Sequence, residues 1–281
     1  MNYTALNDAI QAYTNNTDTE FINEIPTFVR QAEQRIYNTV QVANLRKNVT
    51  GSLTVGNKYL ACPDDFLSAY SLAIYPQAST TATGSSGAFT IVVASATGLV
   101  AGMYATGTGI ATGAAITLIV GTTVTLSLAN TGAVSGAVGF QGNYTYLLNR
   151  DVNYIREVYP NPGYQALPKY YAIFGPASNN VDELTFIVGP TPDLNYQAEL
   201  HFYYYPESIV TAGTSWLGDN FDSTLLYGSL VEAYTYMKGE QDLMAVYDTK
   251  FKEALMLLKN LGDGKQRGDA YLDGQVKVPV R

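Results

Sequence analysis

The spacing of apolar residues near the N-terminus predicts helices. Residues 3–14 make a short one. Phe21, Ile22, Ile25, Phe28, Val29, Ala32, Ile36, Tyr37 and Val40 then recur at steps of three and four, which gathers them on one helical face. A helix over 20–41 follows, with Thr19 as its N-cap and acidic Glu20 beside it. Pro26 falls inside this pattern and predicts a bend or a restart, since its missing N–H is harmless only in a first turn. At the other end, Asp219, Asn220 and Asp222 offer N-caps, and Leu226, Leu230, Ala233, Tyr234 and Met237 form a stripe that Gly239 breaks. Leu243, Val246, Tyr247, Phe251, Ala254, Leu255, Leu258 and Leu261 form a second stripe, which Gly262 ends. Two helices joined by a tight turn predict an antiparallel hairpin. Pairing it with the N-terminal helices would make one bundle.

Between the helices the period changes to that of strands. Residues 45–55 and 58–62 are joined by the turn-forming pair Gly56-Asn57, and Ala69 to Tyr75 alternates as a third strand. Residues 150–158 read as a short helix or strand. Residues 169–174, 183–188 and 197–205 read as three strands separated by turn residues.

Charge divides the chain more sharply than periodicity. From Phe66 to Asn149 there is no Asp, Glu, Lys or Arg in 84 residues, whereas an average globular domain is about one-quarter charged. Within it Phe89–Val93, Ala115–Val120 and Thr123–Leu128 are short β-branched runs separated by Gly-rich turns, the pattern of a small sandwich or barrel. The stretch is expected to be an inserted β module at 76–142. Residues 1–75 and 143–262 would form one discontinuous helical domain, and 263–281 an extended C-terminal arm. The expected fold class is therefore α+β. It combines a helical bundle, a small antiparallel β part, an inserted all-β module and the arm. In the arm Val276, Val278 and Val280 alternate with Lys277 and Pro279, as in a segment that adds as a strand to a neighbour.

Bulk properties exclude several functions. The net charge of −8 argues against a protein that grips nucleic acid by neutralising phosphates. One cysteine, Cys62, rules out an intrachain disulfide framework, and one histidine, His201, rules out any site that needs two. The N-terminus lacks the basic and apolar regions of a signal peptide. The apolar-looking run from Ala88 to Val120 is interrupted by Gly and Thr, so a soluble protein without a membrane span is expected.

No motif reaches catalytic grade. His201 lies mid-strand in an aromatic run and reads as a structural residue rather than a triad member. Asp64-Asp65 are adjacent and fit turn capping better than acid–base work. Gly107 to Gly113 has the wrong spacing and context for a dinucleotide loop. The Arg267-Gly268-Asp269 tripeptide is short enough to arise by chance. The 23 tyrosines are not interleaved with Lys or Arg and suit packing better than base stacking. No enzyme activity, cofactor or metal is expected.

The flanks carry a resemblance. Ile25-Pro26, Ala32-Glu33-Gln34-Arg35-Ile36 and Pro63-Asp64-Asp65-Phe66-Leu67 resemble, in order and spacing, the head-to-tail adaptor proteins of short-tailed bacteriophages, with Cys62 standing where that family usually has Leu. The segment Leu225 to Ala233 and the helix carrying Tyr247, Lys250-Phe251 and Ala254-Leu255 are similar to its C-terminal half. The charge-free stretch lies outside that pattern and resembles β modules scattered through phage structural and bacterial surface proteins.

The resemblance implies a virion protein at the head–tail interface, assembled in the host cytoplasm. It implies a homo-oligomeric ring, usually of twelve copies, between the portal protein and the tail nozzle protein, with DNA passing through its lumen. The arm would reach the portal, with Tyr271, Leu272, Val276, Val278 and Val280 as anchors. The β module would touch a tail fibre or capsid protein. An alternative is a tail or surface protein whose β module attaches to a host glycan or another virion protein.

Overall fold

The computed structural model describes residues 1–40, 43–175 and 184–266. Two compact units are present: Met1–Lys47 with the described residues from Tyr203 onward, and Asn48–Phe202.

The first unit is helical. It holds α1 (Tyr3–Thr14), α2 (Thr19–Thr39), α4 (Ile209–Ala212), α5 (Trp216–Asn220), α6 (Asp222–Met237) and α7 (Gln241–Gln266). The Asn2 side chain caps α1 by accepting from the Ala5 N–H at 2.9 Å. The second helix is continuous across Pro26, starts one residue before the predicted range, and has Asp18 rather than Thr19 at its N-cap. Its predicted apolar face is the buried one: Phe21, Ile25, Phe28, Val29, Ala32, Ile36 and Tyr37.

The middle of this unit is α6, which packs against α1, α2, α5 and α7. Leu225, Leu226, Leu230, Val231, Ala233 and Tyr234 are buried around its circumference, so it behaves as a core helix rather than a one-faced one. Gly228 lets α2 and α7 approach. A Cβ there would stand 3.0 Å from the Phe251 ring and 3.1 Å from Ala32 Cβ. Lys238, left-handed at φ 53°, ends α6, and α7 begins three residues later. That helix continues to Gln266, past Gly262, where its end was predicted. A helix interior tolerates glycine at a cost of roughly 1 kcal/mol, so Gly262 alone does not stop it.

The second unit is built on one long strand, β3 (Phe66–Gly84). Its first half pairs antiparallel with β9 (Thr145–Asn149) through Leu72↔Leu147 to Ile74↔Thr145. Its second half pairs with β8 (Val134–Gln141) from Gln77↔Gln141 to Gly84↔Val134. Beyond β9 come β10 (Tyr170–Ile173), β11 (Thr185–Gly189) and β2 (Tyr59–Ala61). Beside its far end come β4 (Thr90–Val93), β7 (Thr123–Leu126) and β6 (Ile116–Val120), while β5 (Tyr104–Thr106) pairs with β8. The strand β12 (Tyr196–Tyr204) pairs with both β3 and β1 (Arg46–Leu53). All twelve strands of the described residues belong to one sheet.

Three expectations change here. The β part is not small, because β3 joins the predicted module strands and the flanking strands in the same sheet. It is not wholly antiparallel, because β9 and β10 run parallel at Tyr170↔Leu148. A parallel pair needs a long crossover, which α3 (Val152–Val158) supplies. Finally, β1 and β2 do not pair with each other across Gly56-Asn57; they add to β12 and β11.

Residues 82–140 surround a core of their own, including Ile91, Val93, Met103, Ile116, Val124, Leu126, Val138 and Phe140. A second aromatic core lies at the other end of the sheet. There Phe66 meets Phe186 edge-on at 5.4 Å and stacks on Phe202 at 5.9 Å. Between the two, Pro76 sits mid-strand. It has no N–H to donate to the ladder, and its carbonyl accepts from the Gly142 N–H at 2.8 Å. A Cβ on Gly142 would lie 2.5 Å from Pro76 Cγ, so this crossing of strands requires glycine. We predict that Gly142→Ala lowers stability by about 1–3 kcal/mol, read as a drop in the denaturant midpoint at unchanged slope. A wild-type midpoint would refute the steric reading.

Candidate interaction surfaces

In the helical unit one carboxylate does structural work. Glu33 on α2 is buried, and its Oε1 accepts from the Ile209 N–H at 2.9 Å, holding the first turn of α4. Ser208 caps the same turn through the Val210 N–H at 3.2 Å. Burial raises the Glu33 pKa, opposed by hydrogen bonds from the Ile209 N–H and the Ser208 hydroxyl and by the Arg30 charge. Two residues along, Arg35 bonds Glu232 on α6. The resemblance motif Ala32-Glu33-Gln34-Arg35-Ile36 is thus a packing and tethering segment.

Tyrosines make much of the contact inside this unit. The Tyr234 and Tyr247 rings lie 5.0 Å apart, Tyr227 stacks on Tyr247 at 6.3 Å, and Tyr13 meets Tyr247 edge-on at 6.4 Å. The Tyr234 hydroxyl donates to the Tyr13 carbonyl at 3.2 Å. Burial and these neighbours push the Tyr247 phenol up to about 12.

The last helix carries two apolar faces, not one. Phe251, Ala254 and Leu258 face inward and are buried. Leu243 and Val246, read from the sequence as part of that stripe, are exposed instead. With Leu257, 63 % exposed, they repeat at steps of three and four through Lys250 and Glu253, which pair at 3.2 Å. An apolar seam around an intrahelical ion pair is the composition of a helix face that a neighbour covers.

The β unit also leaves apolar side chains in solvent. Phe89, Val92, Leu118 and Val120 are each at least 49 % exposed. The last two lie on β6, which ends the strand order at that side of the sheet. Of the three aromatics of the charge-free module, Phe89 and Tyr104 are exposed and Phe140 is core.

The remaining motifs fall as follows. Asp64 and Asp65 occupy a turn closed by the Phe66 N–H to the Pro63 carbonyl at 3.1 Å. Gly107 to Gly113 forms consecutive turns between strands, with Gly109 at φ 83°. His201 lies on β12 as predicted, but its side chain points outward and is 47 % exposed, because β12 buries the alternate residues Leu200 and Phe202. Arg267-Gly268-Asp269 and the predicted anchors Tyr271, Leu272, Val276, Val278 and Val280 lie outside the described residues. Among the described residues no group of three His, Cys, Asp or Glu could hold a metal ion, and no helix is long and apolar enough to cross a membrane.

The sequence matches the SU10 adaptor protein family over residues 1–99 and 99–278. The chain belongs to the SU10 adaptor protein family. It is a phage structural adaptor and hence a virion component. The two matched segments meet at Leu99, inside the charge-free stretch, so the family match enters that stretch from both sides. A search of curated proteins found no match.

Glu33 gives the helical unit a titratable test. A raised carboxyl pKa means the folded state holds the proton more tightly than the unfolded chain. The stability this gives is full below the unfolded pKa and is lost as pH rises through the folded one. We predict that Glu33→Gln, which keeps the acceptor for Ile209, gains stability relative to wild type between about pH 4 and about pH 7. Glu33→Ala, which leaves that N–H unpaired, should cost about 1–3 kcal/mol at either pH. Thermal melts at both pH values check this. A pH-independent offset between Gln and wild type would sink the titration argument.

Proposed function

We propose that this chain is the head-to-tail adaptor of a short-tailed bacteriophage. Copies of it, twelve in the family it resembles, form a ring that docks on the portal protein, recruits the tail nozzle protein and lets DNA pass through the lumen. The observation that carries this reading is the family match along both halves of the chain. Two further features support it. The outer seam of α7, Leu243, Val246 and Leu257, is an apolar face of the kind a ring neighbour covers. The net charge of −8 suits a channel wall, since acidic surface repels phosphates and keeps DNA mobile. In this reading the segment beyond Gln266 is the portal-binding arm, anchored by Tyr271, Leu272, Val276, Val278 and Val280. The protein works by assembly at the head–tail interface, without catalysis or a cofactor.

One observation favours a second role for the β module. Exposed Phe89, Val92, Leu118 and Val120 on a surface without charge support a contact with a tail fibre, a capsid protein or a host glycan. This adds to the adaptor reading rather than replacing it.

Electron microscopy of the full chain mixed with the portal protein tests the proposal. Rings on the portal are expected, and a protein that stays monomeric beside the portal overturns it. Two variants separate the parts. Truncation after Gln266 should leave the helical unit folded by circular dichroism and abolish portal docking; normal docking would remove the arm from the mechanism. Leu257→Glu, at an exposed position, should leave the melting temperature within a few degrees of wild type and prevent ring formation. Intact rings in that variant would exclude the α7 seam as the subunit contact.

A further inference from the structure

Strands β9, β3, β12 and β1 lie side by side in that order, and one face of them is concave. The concavity has a chemical origin. The central strand, β3, presents the small residues Ser71 and Ala73, while Tyr144 and Tyr146 rise on one side and Glu199 and His201 on the other. The resulting pocket has a volume of about 240 Å³.

A register change sets the position of Tyr144. Gln77 of β3 faces Gln141, but Ile74 faces Thr145. The return strand therefore carries one more residue than β3 over this interval, a bulge of the kind that re-aims side chains. The Tyr144 ring meets Tyr75 edge-on at 4.9 Å, and its hydroxyl donates to Glu199 Oε2 at 2.7 Å. Asn48 Nδ2, from β1, donates to Glu199 Oε1 at 2.6 Å. Those hydrogen bonds hold the Glu199 carboxyl below the usual range against the desolvation that opposes them, with His201 adding a smaller pull in the same direction. The bond to Glu199 in turn pushes the Tyr144 phenol up to about 12, so it stays a donor.

The site therefore holds an ionised carboxylate whose two hydrogen-bond donors are neutral. The cationisable group beside it, His201 Nε2, is 3.9 Å away. Each carboxylate oxygen keeps a lone-pair direction free. The walls are tyrosine rings about half exposed, whose π faces attract cations. The volume lies below the roughly 300–1,000 Å³ of pockets that take drug-sized ligands, and it fits one side chain better than an oligosaccharide.

We propose that this pocket binds an arginine or lysine side chain projecting from a partner protein. The cationic head rests on Glu199, and the stem lies between Tyr144 and Tyr146. A guanidinium satisfies a carboxylate through paired N–H donors and stacks on aromatic rings, so arginine fits better than lysine. This inference does not depend on ring formation or portal docking.

The test uses the full chain and three probes: N-acetyl-arginine amide, its neutral isostere N-acetyl-citrulline amide, and methyl glucoside. Tyrosine-ring NMR signals are followed during titration. A saturable shift is expected with the arginine probe, at least about tenfold weaker in Glu199→Gln and absent with citrulline. Tyr146→Ala removes an exposed wall and no hydrogen bond that holds Glu199. It should also weaken binding while melting as wild type, and it serves if Glu199→Gln does not fold. The proposal is overturned by the absence of a saturable shift in the wild type, by equal affinity in both variants, or by citrulline or methyl glucoside binding as tightly as arginine.

Discussion

Strand β3 is the constraint on which the rest of the β unit depends. It is 19 residues long, several times the usual strand, and its neighbours change along its length. Near Leu72 to Ile74 one face is core and the other, with Ser71 and Ala73, is the shielded floor of the Glu199 pocket; from Gln77 to Gly84 burial alternates. A strand flanked on both faces in its first half and on one in its second must cross from one packing environment to another. Pro76 and Gly142 mark that crossing. The proline interrupts the ladder without ending the strand, and the glycine lets the return chain pass against the proline ring. The glycine could not be exchanged freely, because the proline ring fills the space a Cβ would need.

This changes the meaning of the charge-free stretch. Its composition marks 76–142 as a guest, and residues 82–140 do enclose a separate core. Yet the strand β3 itself runs through residue 76 without ending. A module attached by a single flexible linker transmits nothing. One that shares a continuous strand with its mount is held in register to it, because a one-residue slip of β3 against β8 would turn Val134, Val138 and Phe140 out of the core. The module boundary at residue 76 therefore falls inside a continuous strand.

Much of the helical unit was legible because it obeys one rule. Apolar residues at three- and four-residue steps predicted α1 over its observed range and α2 to within two residues at its C-terminal end, and put the right side chains inside. What failed was resolution between faces. In α7 the sequence offers eight apolar positions that fit a helix, but only a partner helix decides which become core. Phe251 is drawn inward at Gly228 of α6, and Leu243 and Val246 are left outside. Strand pairing was less legible still. Gly56-Asn57 is a sound turn signal, yet the strands it joins pair elsewhere, since β11 and β12 offer non-local edges that a local turn cannot reveal. The strand β8 was missed because its two glycines and alanine look like turn chemistry; it forms because β3 supplies an eight-residue template.

The Glu199 pocket was illegible for a different reason. Its members come from four strands separated by as many as 151 residues, and none sits in a motif. The only sequence trace is the alternation Glu199, His201 against Leu200, Phe202 on a strand otherwise rich in aromatics. Two polar side chains on one face of such a strand need water or a partner, because leaving them in an apolar environment would cost several kcal/mol (~2–7) each. That face is wet only if a neighbouring strand is small there, and β3 supplies Ser71 and Ala73 where larger residues would have closed the surface. The pocket thus follows from the same strand that sets the fold, and the bulge before β9 finishes it by turning Tyr144 toward the carboxylate.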